Sequence, residues 1–481
     1  MDKKSMKSKV FSGLIWTFGE RILAQSVSFL VSVLLARMIL PEEYGIISIV
    51  LIFINIANVF VSNGFGESLI QRKEANDTDF STVFYCSFTF SWLIYAVLFF
   101  LAPAISEFFH NEKLTLVLRV ISLRIPISSI NTVQHAYVSK HMVFKKFFFS
   151  TLGGTIVSGV IGIVMAYAGL GIWALVAQYL SNTLIDTIVL FFIVPWHPQM
   201  LFSKDSAASL ISYSWKLTAS SLVNQVYIEL QSLIIGRKYS SADLAYYHKG
   251  NQFPSLIINN IDTSIGKVFF PAMAQYGDDH ENLKRLSRRA VKTTSFIIFP
   301  MMVGLAAVAE PLVRLMLTEN WIEAVPFLQI ACIFYMCQPM QSTAWQIIKA
   351  VGRSDLCLKL ELLKKVIGIG ILTISMNHGT LAIAAGFATF GMISMVINQY
   401  PVQNLIGYRF SEQMRDILPA AALSVTMGAV TYLISMFALP DLLLIIIQVL
   451  SGVLVYVGLS SFFKMESFLF CVDILKKLMG K

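Results

Sequence analysis

The chain is 481 residues long and is much more apolar, and much less charged, than an ordinary soluble domain. Hydrophobic residues make up 56% of it and charged residues 14%, against about 45 to 50% and about 25% in soluble domains. These proportions exclude a soluble globule. Charge-poor stretches follow one another from Val10 to Phe463 with no polar module between them, so the sequence predicts one polytopic membrane domain.

The first apolar segment follows a short basic stretch, which is how a signal peptide begins. No small-residue cleavage site follows a short apolar core, so we expect this segment to remain in the membrane as a span. The basic residues are Lys3, Lys4, Lys7 and Lys9.

About fourteen segments have the composition of membrane-spanning helices, which need about 20 residues to cross about 30 Å of hydrocarbon. Two charge-free stretches, Phe147 to Ile185 and Val366 to Tyr408, are too long for single spans. Turns at Gly169-Leu170-Gly171 and at His378-Gly379 divide them, so each is predicted to be a helical hairpin. The predicted spans are 10–37, 44–66, 80–104, 114–137, 147–168, 171–194, 208–235, 245–273, 292–317, 322–348, 360–377, 380–400, 415–437 and 442–463.

The distribution of basic residues predicts the orientation of the chain. With the N-terminus in the cytoplasm, most of the 37 Lys and Arg residues fall in loops and tails on that side, as the positive-inside rule requires. We therefore expect both termini to be cytoplasmic. The net charge of +9 then follows from topology and requires no nucleic-acid partner. The basic cluster Lys284, Arg285, Arg288 and Arg289 is interpreted as an anchor against anionic membrane lipids.

The sequence offers no recognisable cofactor, metal or nucleotide site. Its five cysteines show no paired CxxC spacing, and no GxxxxGK[ST] sequence provides a phosphate loop. The predicted loops are too short to hold a catalytic domain. We therefore expect a secondary-type transporter rather than an enzyme, with no cofactor beyond a possible coupling H⁺ or Na⁺.

The two halves of the chain resemble each other when shifted by 200 residues. Because each predicted copy has six spans, an even number, both copies enter the membrane from the same side, and a binding site is expected between them at mid-depth. We predict an N-lobe over 1–200, a C-lobe over 201–408, and two further helices with a cytoplasmic tail over 409–481. The matching pairs include Ser12 with Ser212, Gln25 with Gln225, Ser32 with Ser232, Arg37 with Arg237, and Gly66 with Gly266.

The segment from Trp16 to Lys73 resembles the opening of a known family. Its most specific pieces are LAR…LPEEYG and GFGESLIQRK. They are similar to the polysaccharide transporter family of the multidrug/oligosaccharidyl-lipid/polysaccharide (MOP) exporter superfamily, especially its colanic-acid and teichuronic-acid flippase branch. One departure is Ser62-Asn63-Gly64, where the family pattern has an acidic residue before the glycine.

The resemblance implies an all-α, MOP/MATE-like fold with two six-helix lobes around a central cavity and two further helices. It implies a flippase in the bacterial inner membrane. The implied substrate is an undecaprenyl-pyrophosphate-linked oligosaccharide, such as a capsule, exopolysaccharide or O-antigen repeat unit. Membrane lipids and other polysaccharide-assembly proteins are the further partners that it implies.

Two cations near mid-depth of equivalent spans are the main candidates for substrate binding. An ionisable side chain at the bilayer centre costs about 2.5 to 3.5 kcal/mol, so each one is expected to face protein or water. Arg21 lies on span 1 with Gln25, and Lys216 lies on span 7 with Asn224, each pair on one helix stripe. We expect the two cations to face each other and to bind the pyrophosphate or acidic sugars. The alternative is that they form ion pairs that lock one conformation, with Glu20 and Glu229 as the partners.

Other intramembrane polar residues allow two interpretations each. Arg124 on span 4 either extends a basic lining or pairs with Asp186 on span 6. The amides and carboxylate on spans 2 and 8 either bind sugar hydroxyls or form hydrogen bonds between helices; they are Asn55, Asn58, Asn259 and Asp262. Four acidic residues are equal candidates for coupling to H⁺ or Na⁺ or for gating, namely Glu20, Asp186, Glu229 and Asp262.

The leading hypothesis is a lipid-linked oligosaccharide flippase that works by alternating access. One alternative is a multidrug or cation antiporter of the same superfamily, whose cavity would carry acidic residues where this chain has Arg21 and Lys216. Another is a membrane glycan polymerase, which would need a substantial external loop carrying catalytic Arg or His.

Overall fold

A computed structural model describes residues 3–61, 69, 76–141, 143, 145–277, 279–437 and 439–478, and for a minority of helical residues it describes the backbone alone. These residues form eighteen α-helices and one 3₁₀ turn, Glu319–Trp321, and contain no strand. The predicted all-α class is confirmed.

The chain divides into two compact units, of which the first is Met1–Ala245. Its helices are α1 (Lys3–Met38), α2 (Pro41–Val61), α3 (Asp77–Phe108), α4 (Lys113–Ile121), α5 (Arg124–His141), α6 (Lys145–Tyr167), α7 (Ile172–Ile193) and α8 (Lys204–Lys238), followed by the start of α9 (Ser241–Gln275). In this unit α6 and α7 form a hairpin that packs on α1, α2 packs against α8, and α5 packs against both α3 and α7.

The second unit, Tyr246–Lys481, contains the rest of α9 and nine further helices. The helices are α10 (His280–Ala307), α11 (Ala309–Leu317), α12 (Ala324–Met336), α13 (Gln338–Ala350), α14 (Ser354–Ser375), α15 (Thr380–Ile406), α16 (Phe410–Ile434), α17 (Asp441–Phe462) and α18 (Glu466–Leu478). Here α10 packs against α12, α13 and α16. α15 packs against α12, α13 and α14, and α17 packs against α11 and α16.

The last helix, α18, is held against α10 by aromatic contacts. The rings of Phe296 and Phe468 lie 6.4 Å apart, and the Arg289 guanidinium carbon lies 3.8 Å from the ring centroid of Phe470. Lys292 adds an ion pair of 2.7 Å to Glu466. The end of the described chain is therefore part of the packed second unit.

In the described ranges, nine helical segments are long and apolar enough to cross a membrane. Large apolar side chains on them are exposed, such as Phe100, Val164, Phe192 and Leu454, as expected for surfaces that face lipid. The remaining predicted spans coincide with the helices α1, α8, α9, α12–α13 and α14, which do not meet the same length and composition within the described residues. A multi-pass membrane protein is therefore confirmed, and the count of fourteen spans stays a prediction.

Both predicted hairpin turns are present. α6 ends at Tyr167 and α7 begins at Ile172, with Gly169 at φ 76° between them. Gly379, at φ 99°, lies just before α15 in the second hairpin. These positive φ angles are readily adopted only by glycine, so the turn positions follow from the sequence.

The LPEEYG piece forms the start of α2 and packs against the start of α9. Pro41 occupies the first position of the helix, where its missing N–H costs no hydrogen bond. A Cβ atom at Gly45 would overlap the backbone carbonyl of Ser241. Glycine is thus required here for the close approach of two backbones.

The contact boundary between the units falls inside α9, since α8 packs against α2 and α3. The repeat-based boundaries at 200 and 408 stay predictions.

Candidate functional site

The two predicted substrate-binding cations lie on helices α1 and α8 of the first unit. The side chains of Arg21, Lys216 and Glu20 are outside the described residues. That the two cations face each other, and the rival ion pairing with Glu20, both stay predictions.

The neighbouring amides on the same helices lie at accessible or half-buried positions. Asn224 and Ser220 on α8 are exposed, as is Ser28 on α1, and Gln25 is half-buried. The Gln25 Oε1 atom is buried and has no hydrogen-bond partner among the described residues. The polar faces predicted for α1 and α8 thus include side chains that are available to a polar ligand.

A buried carboxylate joins α2 and α8 through neutral amides. Glu229 is 7% exposed, and its Oε1 accepts hydrogen bonds from Asn55 Nδ2 at 3.0 Å and from Gln225 Nε2 at 2.9 Å. We call Asn55, Gln225 and Glu229 the amide clasp. Within the described ranges no Lys or Arg lies within ion-pair distance of Glu229.

The side chain of Asn55 makes a hydrogen bond between helices, which is one of its two predicted roles. Asn55 is also exposed, and its role in sugar binding stays a prediction. The sequence carried a signal for the clasp that was not used, since Gln225 and Glu229 are four residues apart and therefore share one face of α8. Asn58, on the same helix α2, is half-buried, and its role as a substrate ligand stays a prediction.

The predicted pairing of Arg124 with Asp186 is wrong. Arg124 Nε donates to Thr183 Oγ1 at 2.9 Å, and its guanidinium carbon lies 5.2 Å from the ring centroid of Tyr179. α5 and α7 run parallel with Arg124 level with Thr183, which places Asp186 about 4.5 Å further along the axis.

Asp186 is held instead by two residues further along α5. Its Oδ2 accepts from Asn131 Nδ2 at 3.1 Å and lies 3.7 Å from His135 Nε2. Of the acidic candidates for coupling, Asp186 therefore already has a neighbour that can become cationic.

The corresponding polar residues of α9 belong to the second unit. Asn259 is exposed and Asp262 is half-buried, and the polar side chains of Gln338 and Ser342 on α13 lie near Asp262. One carboxylate oxygen, Oδ1, is buried without a partner in the described part of the chain. Asp262 thus resembles Glu229 in having neutral polar neighbours.

A network near the starts of α10 and α16 neutralises part of the basic cluster. Arg288 donates from Nε and Nη2 to the two oxygens of Asp416, both at 2.8 Å. Tyr408 donates to the same carboxylate at 2.8 Å, and burial together with Asp416 raises the pKa of its hydroxyl far above the ordinary value. Lys284 pairs with Glu412 at 2.8 Å.

These pairs give Lys284 and Arg288 carboxylate partners within the protein. That the basic cluster anchors the chain against anionic lipids stays a prediction. The partners lie more than 120 residues away in the sequence, so local charge patterning did not reveal them.

The fold is that of MOP-superfamily transporters. The structure superimposes on a lipid II flippase, MurJ, in an inward closed conformation with a TM-score of 0.76 and 17% identity, covering 94% of this chain and 98% of that one. It also superimposes on an inward-facing MATE-family multidrug resistance transporter of the MOP superfamily, with a TM-score of 0.59, 15% identity and coverage of 84% and 96%. The predicted MOP/MATE-like fold is confirmed.

The family follows from the sequence match. Residues 34–326 match the family described as Polysaccharide biosynthesis protein, which is more than half of the chain, so the chain belongs to this family. Relatives include the teichuronic acid biosynthesis protein TuaB of Bacillus subtilis (22% identity; 95% of this chain, 96% of the relative) and the lipopolysaccharide biosynthesis protein WzxC of Escherichia coli (22%; 89% and 89%). The succinoglycan biosynthesis transport protein ExoT of Rhizobium meliloti is 23% identical over 74% and 72%. The chain is therefore a multi-pass membrane protein of a polysaccharide biosynthesis family with the fold of MOP-superfamily transporters.

Proposed function

We propose that the chain is a flippase that moves an undecaprenyl-pyrophosphate-linked oligosaccharide across the bacterial inner membrane, with both termini in the cytoplasm. The observation that carries this proposal is the family match together with relatives of nearly the same length, named for teichuronic acid, lipopolysaccharide and succinoglycan assembly. These glycans differ, so their shared need is the export of a hydrophilic chain built on a membrane anchor.

The polar faces of α1 and α8 suit such a substrate. Gln25 and Asn224 offer amides to sugar hydroxyls, and Arg21 and Lys216 on the same helices supply positive charge for the pyrophosphate. The saccharide then crosses along these polar faces by alternating access, while the lipid tail stays in hydrocarbon because its transfer into water is unfavourable.

Depletion of the protein in cells tests the proposed activity. Undecaprenyl-linked repeat units should accumulate in the cytoplasmic leaflet, because their synthesis continues while their translocation stops. Leaflet position is measured by accessibility to a glycosidase that cannot cross the membrane. Accumulation in the outer leaflet instead would indicate a defect in polymerisation and would refute the flippase.

Charge removal tests the proposed binding residues. Arg21→Ala and Lys216→Ala should each abolish glycan export, since a pyrophosphate brought into the membrane needs a cationic partner. Export and the amount of protein in the membrane are measured in parallel. Arg353→Ala is the matched control, because Arg353 is a half-exposed loop residue paired with Asp355, and export should remain normal. Normal export by both test variants would contradict the assignment.

A further inference from the structure

We infer that Glu229 is a proton-binding site that couples transport to a proton gradient by changing the strength of the amide clasp between α2 and α8. This inference rests on the proposed function for its role in transport, whereas proton binding itself is a property of the site. It selects one residue among the four acidic candidates.

Burial and partners distinguish Glu229 from the other described candidates, since Asp262 is only half-buried and Asp186 has a histidine neighbour. Asp186 has His135 at 3.7 Å, and the Glu20 side chain lies outside the described residues. Glu229 is 7% exposed and has only the two amide donors as described polar partners, both on Oε1. A buried carboxylate that has no cationic partner is unfavourable in its ionised form. Glu229 is therefore more easily neutralised by a bound proton than a carboxylate that has a cationic partner.

The donors around Glu229 favour a proton over a metal cation. Asn55 and Gln225 both direct N–H groups at the carboxylate, whereas Na⁺ would need several oxygen ligands around it. A proton needs only one carboxylate oxygen. With both N–H groups directed at the carboxylate, the clasp suits a proton better than a sodium ion.

The charged and titratable groups on the neighbouring helices lie more than one helical turn from Glu229 along the helix axis. α8 packs against α2 and α3. On α2 the titratable residues are Glu42, Glu43 and Tyr44, all in its first turns, about 16 Å or more from the level of Asn55. On α3, which runs parallel to α8, they are Asp77, Asp79, Tyr85, Cys86, Tyr95 and Glu107.

Two contacts set the level of Glu229 against α3. Ser206 Oγ donates to Asp79 at the start of both helices, and Arg237 lies over Phe108 at their ends. Glu229 therefore lies near the level of Ala102, and the nearest titratable residue of α3 is Glu107, about 7.5 Å further along the helix axis. On α8 itself the nearest charges in sequence are Arg237 and Lys216, about 12 and 20 Å away along the axis.

Protonation changes the contact between α2 and α8. Hydrogen bonds to an ionised carboxylate are roughly twice as strong as those to a neutral acid. The bond from Asn55 joins two helices, whereas the bond from Gln225 lies within α8. Uptake of a proton from the aqueous phase thus weakens the link between α2 and α8, and its release restores the link. Proton binding in this way biases the packing of a helix that carries part of the proposed substrate path.

Infrared difference spectroscopy on the purified protein in liposomes tests proton binding without any substrate. The full-length protein should show a protonated-carboxyl band that appears as the pH is lowered, and Glu229→Gln should lack it. Asp355→Asn is the control, since it removes an exposed carboxylate outside the site, and it should keep the Glu229 band. Asn55→Ala, which leaves the carboxyl group in place, should move the pH midpoint of the band upward by about one unit.

Transport measurements test the coupling. In proteoliposomes containing lipid-linked oligosaccharide extracted from a strain depleted of the protein, an imposed proton gradient should change the flipping rate. In Glu229→Gln the rate should no longer respond to the gradient, whereas Asp355→Asn, which changes an exposed carboxylate outside the site, should retain the response. A response to a sodium gradient alone, or a full proton response in Glu229→Gln, would overturn the inference.

The two proposals fail in different ways. If the unsubstituted protein moves no lipid-linked oligosaccharide, the proposed function fails while the spectroscopic band still reports on Glu229. If flipping occurs and the band is unchanged in Glu229→Gln, the proton site is refuted and the flippase stands. If the Glu229→Gln protein does not fold, the pH midpoint of the band in Asn55→Ala becomes the deciding result. An unchanged midpoint in that variant would refute the proton site.

Discussion

Two buried carboxylates in this protein are held in opposite ways. The side chain of Asp416 is 4% exposed and is bound by the Arg288 guanidinium, the Tyr408 hydroxyl and, at 3.6 Å, the Lys292 ammonium. Glu229 is 7% exposed and is bound by two neutral amides. Since both carboxylates are largely removed from water, the partners decide the behaviour: cations fix the negative charge of Asp416, whereas the amides of the clasp allow Glu229 to lose its charge.

Their positions in the molecule fit this difference. Asp416 lies where the ends of α10 and α16 meet, next to the ion pair that holds α18, and a permanent charge there stabilises the packing of three helix ends. Glu229 lies within the length of α8, far from either end of the helix. The comparison predicts that changes at Asp416 affect stability first and that changes at Glu229 affect transport first.

The strongest test on the structural side is Asp416→Asn. It leaves Arg288 and Lys292 without their shared carboxylate, so we expect a loss of about 2 kcal/mol in the free energy of unfolding, the value being moderated by the partial exposure of Arg288. Unfolding in mild detergent is the measurement. The matched control Glu412→Gln removes a more exposed carboxylate of the same network and should cost less than about 1 kcal/mol. Equal losses in the two variants would contradict the special position of Asp416.

A second test concerns the start of α2, where packing rather than charge holds the helix that carries Asn55. Gly45→Ala forces a Cβ against the Ser241 carbonyl and should cost about 1 to 3 kcal/mol. Gly153→Ala on α6 is the control, because no atom lies within 4 Å of its Cβ position, and stability should stay the same or rise. Thermal unfolding compares the two, and a fully stable Gly45→Ala protein would show that this contact does not fix α2.

The smallest effect is expected from an exposed pair with the same chemistry as Arg288 and Asp416. Arg353 binds both oxygens of Asp355 at 2.8 and 3.0 Å and lowers the pKa of that carboxyl to about 2. Because the folded-state pKa lies below the ordinary value of about 3.9, the stabilisation is present above about pH 4 and is lost as the pH falls toward about 2.

The difference in melting temperature between the unsubstituted protein and Asp355→Asn should therefore be small at neutral pH and should vanish over that interval. A difference that grows on acidification would reverse the predicted sign.

Composition and glycine placement predict most of the fold. The excess of apolar residues indicates the membrane class, and Gly169 and Gly379 locate the hairpin turns because few other residues adopt their φ angles. The sequence was less informative about which polar side chains contact each other. Asn55 and Glu229 are 174 residues apart, and helical periodicity shows which residues share a face but not which helix lies opposite.

The error at Arg124 has the same origin. Span assignment placed Arg124 and Asp186 on helices of one lobe, which is necessary for a pair but leaves the axial register open. Asp186 lies about one helical turn beyond the level of Arg124, so Arg124 contacts Thr183 and Tyr179 in its place.

The docking of α18 on α10 has a practical consequence for any study of this transporter. Phe468 and Phe470 are engaged with Phe296 and Arg289 close to the last described residues. A fluorescent reporter or affinity tag joined directly to this helix would compete with those contacts, so expression vectors should place a flexible spacer before it.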